Sequence, residues 1–290
     1  MTSLLDELPT SLSYEIMRPQ LEDLDSVISS IEIENSYMKS SFEDFLGDLV
    51  INRSPSCRPI YSGVHTIGDA LWDIETTIYR IEWQKQLYFQ KQLSLSQWFI
   101  FSKADIRLFH IEVRSLMDHI GLVIKNVAKP KNRPKDSFDD LRKRRDHYLQ
   151  KRMISKEIYE LLDSADWFDQ FRAIRCAIVH EGAKVISFGL KKGEPVLWAI
   201  KRQDYSDLLA EAEFVVNKNG VMNFERYAAY NMYHIYSFLN RFGEILYQTT
   251  GLIRSQRKSA ARSHGGIKVI QTWMVELRSH LQSIVESVDR

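Results

Sequence analysis

Apolar positions along this chain fall mostly at helical spacing. Ile106, Phe109, Val113, Leu116, Ile120, Val123 and Val127 step by three and four without a miss, which predicts a long amphipathic helix whose seam packs along a partner helix, within the chain or across a dimer. Upstream, Ile67, Leu71, Ile74, Ile78, Ile81 and Leu87 predict a second long helix, and Ser94 or Ser96 is placed to cap the one that follows. An earlier, shorter pattern runs through Leu21, Leu24, Val27, Ile28 and Ile31 between Pro19 and a polar break at residues 34–39. The run NRSPSCRP at 52–59 reads as a linker, and Pro130 and Pro134 end the long helix in a loop.

Beyond that loop, residues 138–152 are densely charged. They read either as a solvated helix face or as a phosphate-binding strip, with Arg142, Arg144, Arg145 and Lys151 as its candidate contacts. A short helix is expected from Ser155. Another, capped by Ser164, carries Trp167, Phe171, Ile174 and Ile178 on one stripe and stops at Gly182. The period then changes to two: residues 184–190 and 196–200 flank a Lys-Lys-Gly-Glu turn, and Pro195 makes the second strand an edge or shifts its start. A second tight hairpin is expected from 213–216 and 221–224. After it comes an aromatic-rich helix over about 225–249, with Tyr227, Tyr230, Tyr233 and Phe238 as core. Residues 254–262 form a basic linker, and a final amphipathic helix spans 267–288.

The fold class is therefore mainly α, with a small β-hairpin insertion at about 184–224 before the last long helix. The chain divides into an N-terminal helical appendage and linker at 1–62, a helical domain at 63–250, and a basic linker with a C-terminal amphipathic helix at 251–290.

Composition narrows the function only by exclusion. With 39 basic against 38 acidic residues, no global positive field advertises nucleic acid, and any such site is a local patch. The start has no basic and apolar leader pattern, and no stretch is long and apolar enough for a membrane helix. Cys57 and Cys176, the two cysteines, form no CxxC, so the expectation is a protein of the reducing cytoplasm without a disulfide framework. P-loop, GxGxxG, HExxH, GxSxG and EF-hand patterns are missing, and the eight histidines show no metal-ligand spacing on one helix. No metal or cofactor is expected.

One segment carries a chemical pattern: Phe171-Arg-Ala-Ile-Arg-Cys-Ala-Ile-Val-His180-Glu-Gly182, in which Arg175 is followed after four residues by His180 at a helix end. The spacing alone says little, because Arg58/His65, Arg114/His119, Arg142/His147 and Arg257/His264 satisfy it too. Context separates them. Only Arg175/His180 follows a long helix and loop, ends an apolar helix, and precedes a hairpin and a long closing helix. In this the chain resembles the HEPN superfamily, as a divergent member.

The resemblance covers the layout of residues 64–250 and is specific over about ten of them. It implies a HEPN-like helical bundle, a homodimer in which two copies of the motif face one cleft, and metal-independent RNA cleavage. His180 would act as general base or acid at the ribose 2′-OH and Arg175 would stabilise the charged phosphorane. An ideal helix separates residues five apart by about 140°, so two symmetry-related copies bring such groups together more easily than one. The family often carries a polar residue directly after the Arg. Here it is Cys176, one turn before His180, whose thiol is a weak hydrogen-bonding group. That departure admits a non-catalytic HEPN-like module that dimerises and binds RNA, nucleotide or a regulatory protein partner. It also admits a plain helical interaction protein in which Arg175 only pairs with an acid such as Asp169 or Glu181.

Overall fold

The chain is described by a computed structural model covering residues 22, 24–32, 37–38, 40–52, 55–128, 134, 137–189, 191–201, 221–255 and 265–288. It is mainly helical. A two-residue antiparallel pair, β1 (Ile31–Glu32) and β2 (Tyr37–Met38), precedes α1 (Ser41–Asn52). The long helices α2 (Tyr61–Phe89) and α3 (Leu95–Val127) follow. Next come α4 (Phe138–Lys143), α5 (Arg145–Gln150), α6 (Lys156–Asp163) and α7 (Trp167–Val179). Strands β3 (Lys184–Ser187), β4 (Leu197–Lys201) and β5 (Met222–Asn223) lead into α8 (Phe224–Thr250), and α9 (Gly265–Val288) closes the chain.

The seam expected on α3 is buried from Ile106 to Val123, with Val127 partly so, and its partner lies within the chain. Helices α2 and α3 form an antiparallel hairpin. Ser94 opens α3 with a capping box: its hydroxyl accepts from the Gln97 N–H while the Gln97 side chain takes the Ser94 N–H at 2.9 Å. Polar rungs cross the hairpin. Thr77 donates to Glu112 at 2.8 Å, and Arg80 and Gln84 both donate to Asp105.

The charged segment at 138–152 is two short helices with a break at Arg144, where one run was expected. Ser164 closes α6 through a bond from its hydroxyl to the Leu161 carbonyl, and α7 starts only after Asp166. Ser164 is therefore a C-terminal residue of the earlier helix and not the cap of the next.

The sheet runs β3-β4-β5, all antiparallel, with Ile186 opposite Ala199 and Trp198 opposite Met222. Pro195 shifts the start of β4 to Leu197 without making it an edge, since β4 is the middle strand. Of the second expected hairpin, residues 213–220 lie outside the described residues. Its later arm supplies β5, which pairs with β4. Asn223 then caps α8 by accepting the Arg226 N–H at 3.1 Å. Tyr227, Tyr233 and Phe238 of α8 are buried in the core, and Tyr230 is partly so.

Helices α1 and α9 both pack into this same core. Phe42, Phe45, Leu46 and Leu49 of α1 bury against α8, where the Asn240 side chain accepts the Ser41 N–H at 2.8 Å and the Tyr247 hydroxyl donates to Asp48 at 2.6 Å. Helix α9 buries Ile267, Ile270, Trp273, Met274 and Leu277 against α8 and α2. Most of the basic linker, from residue 256 on, lies outside the described residues, as do Leu21 and Pro130.

Candidate functional site

Helix α7 fixes the candidate pair. Its apolar stripe, Phe171, Ile174 and Ile178, is buried; Phe171 stacks on His110 of α3 at 5.1 Å and meets Phe109 edge-on at 6.0 Å. With that stripe turned inward, Arg172, Arg175 and Cys176 lie towards the surface, half-buried. At the helix end the winding opens. The Cys176 carbonyl accepts the N–H groups of both His180 (2.9 Å) and Glu181 (3.3 Å), and the Ala183 N–H reaches back to Ala177 at 2.9 Å. Gly182, at φ 71°, takes the left-handed conformation that lets the chain turn into β3. His180 is thereby held at the exposed C-cap of α7.

The Arg175 Nη1 lies 2.6 Å from His180 Nε2. A single chain thus brings the two groups together, against the expectation from ideal helix geometry. The helix is ending at His180, and a guanidinium on a long stem spans the remaining angle. A guanidinium can only donate, so His180 Nε2 is the acceptor and the ring proton sits on Nδ1. Arg175 Nε is buried with no hydrogen-bond partner among the described residues. Of the four Arg–His pairs within the described residues, this is the one whose side chains bond to each other. Arg114 bonds to Asp118 at 3.0 Å and lies over the Phe168 ring.

The other candidates separate. Cys176 is a free, half-buried thiol one turn before His180, and Glu181 is exposed just after it. Asp169, considered as a partner for Arg175, is taken by Arg142, whose hydrogen bonds hold its carboxyl below the usual range. Arg142 is only 4% exposed and binds Asp169 at 2.7 Å and Asp166 at 3.1 Å, so it clamps α4 to the start of α7 and has no free face for phosphate. Arg145 binds Asp163 at 2.9 Å and the Arg142 carbonyl. Arg144 and Lys151 face solvent. Only part of the basic strip is therefore open to a ligand.

Nothing in the periodicity singled out Arg172, which shares Asp139 with Lys143 beside this site; an Arg three residues before Arg175 on the same side of the helix was its available signal. Among the described residues, no group of three or more His, Cys, Asp or Glu side chains is placed to hold a metal ion, and no helix is long and apolar enough to cross a membrane. Comparison with protein-family models, with curated proteins and with solved structures gave no match for this chain.

Proposed function

We propose that this chain is a HEPN-like, metal-independent endoribonuclease that acts as a homodimer, with Arg175 and His180 as its chemical pair. The observation that supports this most is the 2.6 Å contact between Arg175 and an exposed His180 whose Nε2 is the unprotonated nitrogen. A phosphodiester arriving at the site draws the guanidinium onto its non-bridging oxygens, where two N–H groups can act together. That frees Nε2 beside the bound phosphate.

His180 then takes the proton of the ribose 2′-OH as the 2′-O–P bond forms and the P–O5′ bond breaks. Arg175 neutralises the phosphorane charge. The departing 5′ oxygen takes its proton from the imidazolium of a second copy's His180. Products are a 2′,3′-cyclic phosphate and a 5′-hydroxyl. Arg144 and Lys151 are the exposed basic residues available to flanking phosphates.

A second reading, a non-catalytic HEPN-like module binding RNA, nucleotide or a protein partner, draws on Cys176, a half-buried thiol where a polar orienting group would serve catalysis.

Incubating the purified protein with mixed cellular RNA in EDTA, beside His180→Ala, separates the two. Catalysis predicts EDTA-resistant cleavage by the wild type and a loss of about a hundredfold or more in the variant. Undiminished cleavage by a folded His180→Ala would overturn the assignment of the pair. Binding to RNA with no cleavage by either protein would favour the second reading.

A further inference from the structure

The outward side of the α2/α3 hairpin has an unusual composition. Trp83 on α2 is 50% exposed and Phe101 on α3 is 40% exposed, with Ile111 and Trp72 also open to solvent. Single exposed apolar residues are ordinary; several on one face mark an interaction surface. Between the two helices runs a seam of carboxylates. Asp105 is buried and accepts from Arg80 and from Gln84 Nε2 at 2.7 Å. About two turns further along α3, Glu112 accepts from Thr77 at 2.8 Å, and Asp73 lies close enough to act on its charge. Arg80 is the cation shared by Asp105, which it bonds, and Glu112, whose charge it also feels, while Asp73 adds a further negative charge beside Glu112. Burial pushes Glu112 up to about 7, and Asp73 and Asp105 add to this.

A second observation indicates what the seam lacks. Gln84 is only 7% exposed, and its Oε1 has no hydrogen-bond partner among the described residues. Turning the amide over would set that oxygen against the Asp105 carboxylate, so the orphan cannot be relieved from within. A buried acceptor left unmade costs about 1–3 kcal/mol. Excess negative charge and an unmet acceptor, both flanked by exposed aromatic side chains, call for a cationic donor on an apolar support.

We propose that this face receives an amphipathic helix of a partner protein, which lays a lysine or arginine into the Asp73–Asp105–Glu112 seam and its apolar side chains onto Trp83, Phe101 and Ile111. A second copy of this chain is disfavoured as the occupant, because a two-fold contact would set acid against acid. The surface is separate from the Arg175/His180 site, and the inference does not depend on the ribonuclease reading.

The test uses the full chain and a synthetic Leu/Lys peptide with apolar residues at helical spacing, beside the same peptide with Glu for Lys. Tryptophan fluorescence and calorimetry read the binding. The Leu/Lys peptide should bind, more weakly at high salt, while the Leu/Glu peptide should not. Asp73→Lys and Trp83→Ala, each confirmed as folded by its melting curve, should each weaken binding about tenfold. Equal binding of both peptides, binding of neither, or self-association of the wild type that Trp83→Ala abolishes would each overturn the proposal.

Discussion

Replacing Gly243 by alanine is expected to lower the melting temperature by about 10 °C, although helix propensity alone points the other way. In an α-helix interior alanine is favoured over glycine by about 1 kcal/mol. Here a Cβ on residue 243 would stand 2.3 Å from the Phe42 backbone nitrogen and 2.4 Å from the Ser41 carbonyl carbon. Those are backbone atoms at the start of α1, and no side-chain rotamer relieves the clash. The start of α1 must lift from α8, loosening the Ser41–Asn240 bond and the burial of Phe42 and Phe45. Losing part of that contact costs about 3–5 kcal/mol by analogy with cavity-forming core substitutions, which outweighs the propensity gain. Thermal unfolding of the two proteins decides between them. An unchanged or raised melting temperature would mean that the close approach of α1 and α8 is not part of the fold.

The second large effect is on stability in acid. His110 is wholly buried, with Nδ1 2.7 Å from the Ile106 carbonyl and Nε2 2.9 Å from the Tyr227 hydroxyl; burial pulls its pKa down to about 4. His234 stacks on Trp167 at 5.4 Å, and burial pulls it down to about 3. Both rings are neutral in the fold, while in the unfolded chain each takes a proton near 6.5. The unfolded state therefore binds more protons as pH falls below 6.5, and stability drops with it. Each ring contributes on the order of 3 kcal/mol once pH is near its folded value. Glu112, pushed up to about 7, acts oppositely between 7 and 4.5, but its gain is complete by 4.5 while both imidazoles still oppose folding.

Denaturant unfolding at pH 7 and at pH 4 should accordingly show a loss of several kcal/mol in acid. His234→Phe should flatten that dependence by about one proton: a phenyl ring keeps the stacking on Trp167, and the Nε2 it removes has no hydrogen-bond partner among the described residues. Equal pH dependence in the two proteins would contradict the neutral, buried assignment of His234.

Much of the fold can be read in local pattern. The seam from Ile106 onward, the Ser94 cap, the stop at Gly182 and the change of period at Lys184 each depend on residues a few positions apart. What sequence does not disclose is pairing across long separations. Asp166 and Asp169 look like helix-start acids until Arg142 is brought to them. Gly243 looks like a weak spot in a helix until Ser41 is laid against it.

The candidate site divides in the same way. Helix end, histidine and preceding arginine are legible in ten residues. Their contact was not, because angular arithmetic on an ideal helix ignores both the opened last turn and the reach of a guanidinium. Arg142 and Arg145 were misleading for the converse reason: a run of basic residues gives no indication of which of them will meet an acid.

The most direct measurement for the proposed chemistry is end-group analysis of a single-stranded RNA cleaved by the wild-type protein in EDTA. Attack by the 2′-OH, with His180 as base, predicts fragments ending in 2′,3′-cyclic phosphate and beginning with a 5′-hydroxyl, and no cut where the 2′-OH is replaced by hydrogen. Fragments with 3′-hydroxyl and 5′-phosphate ends, or cleavage that persists at a 2′-deoxy position, would contradict it.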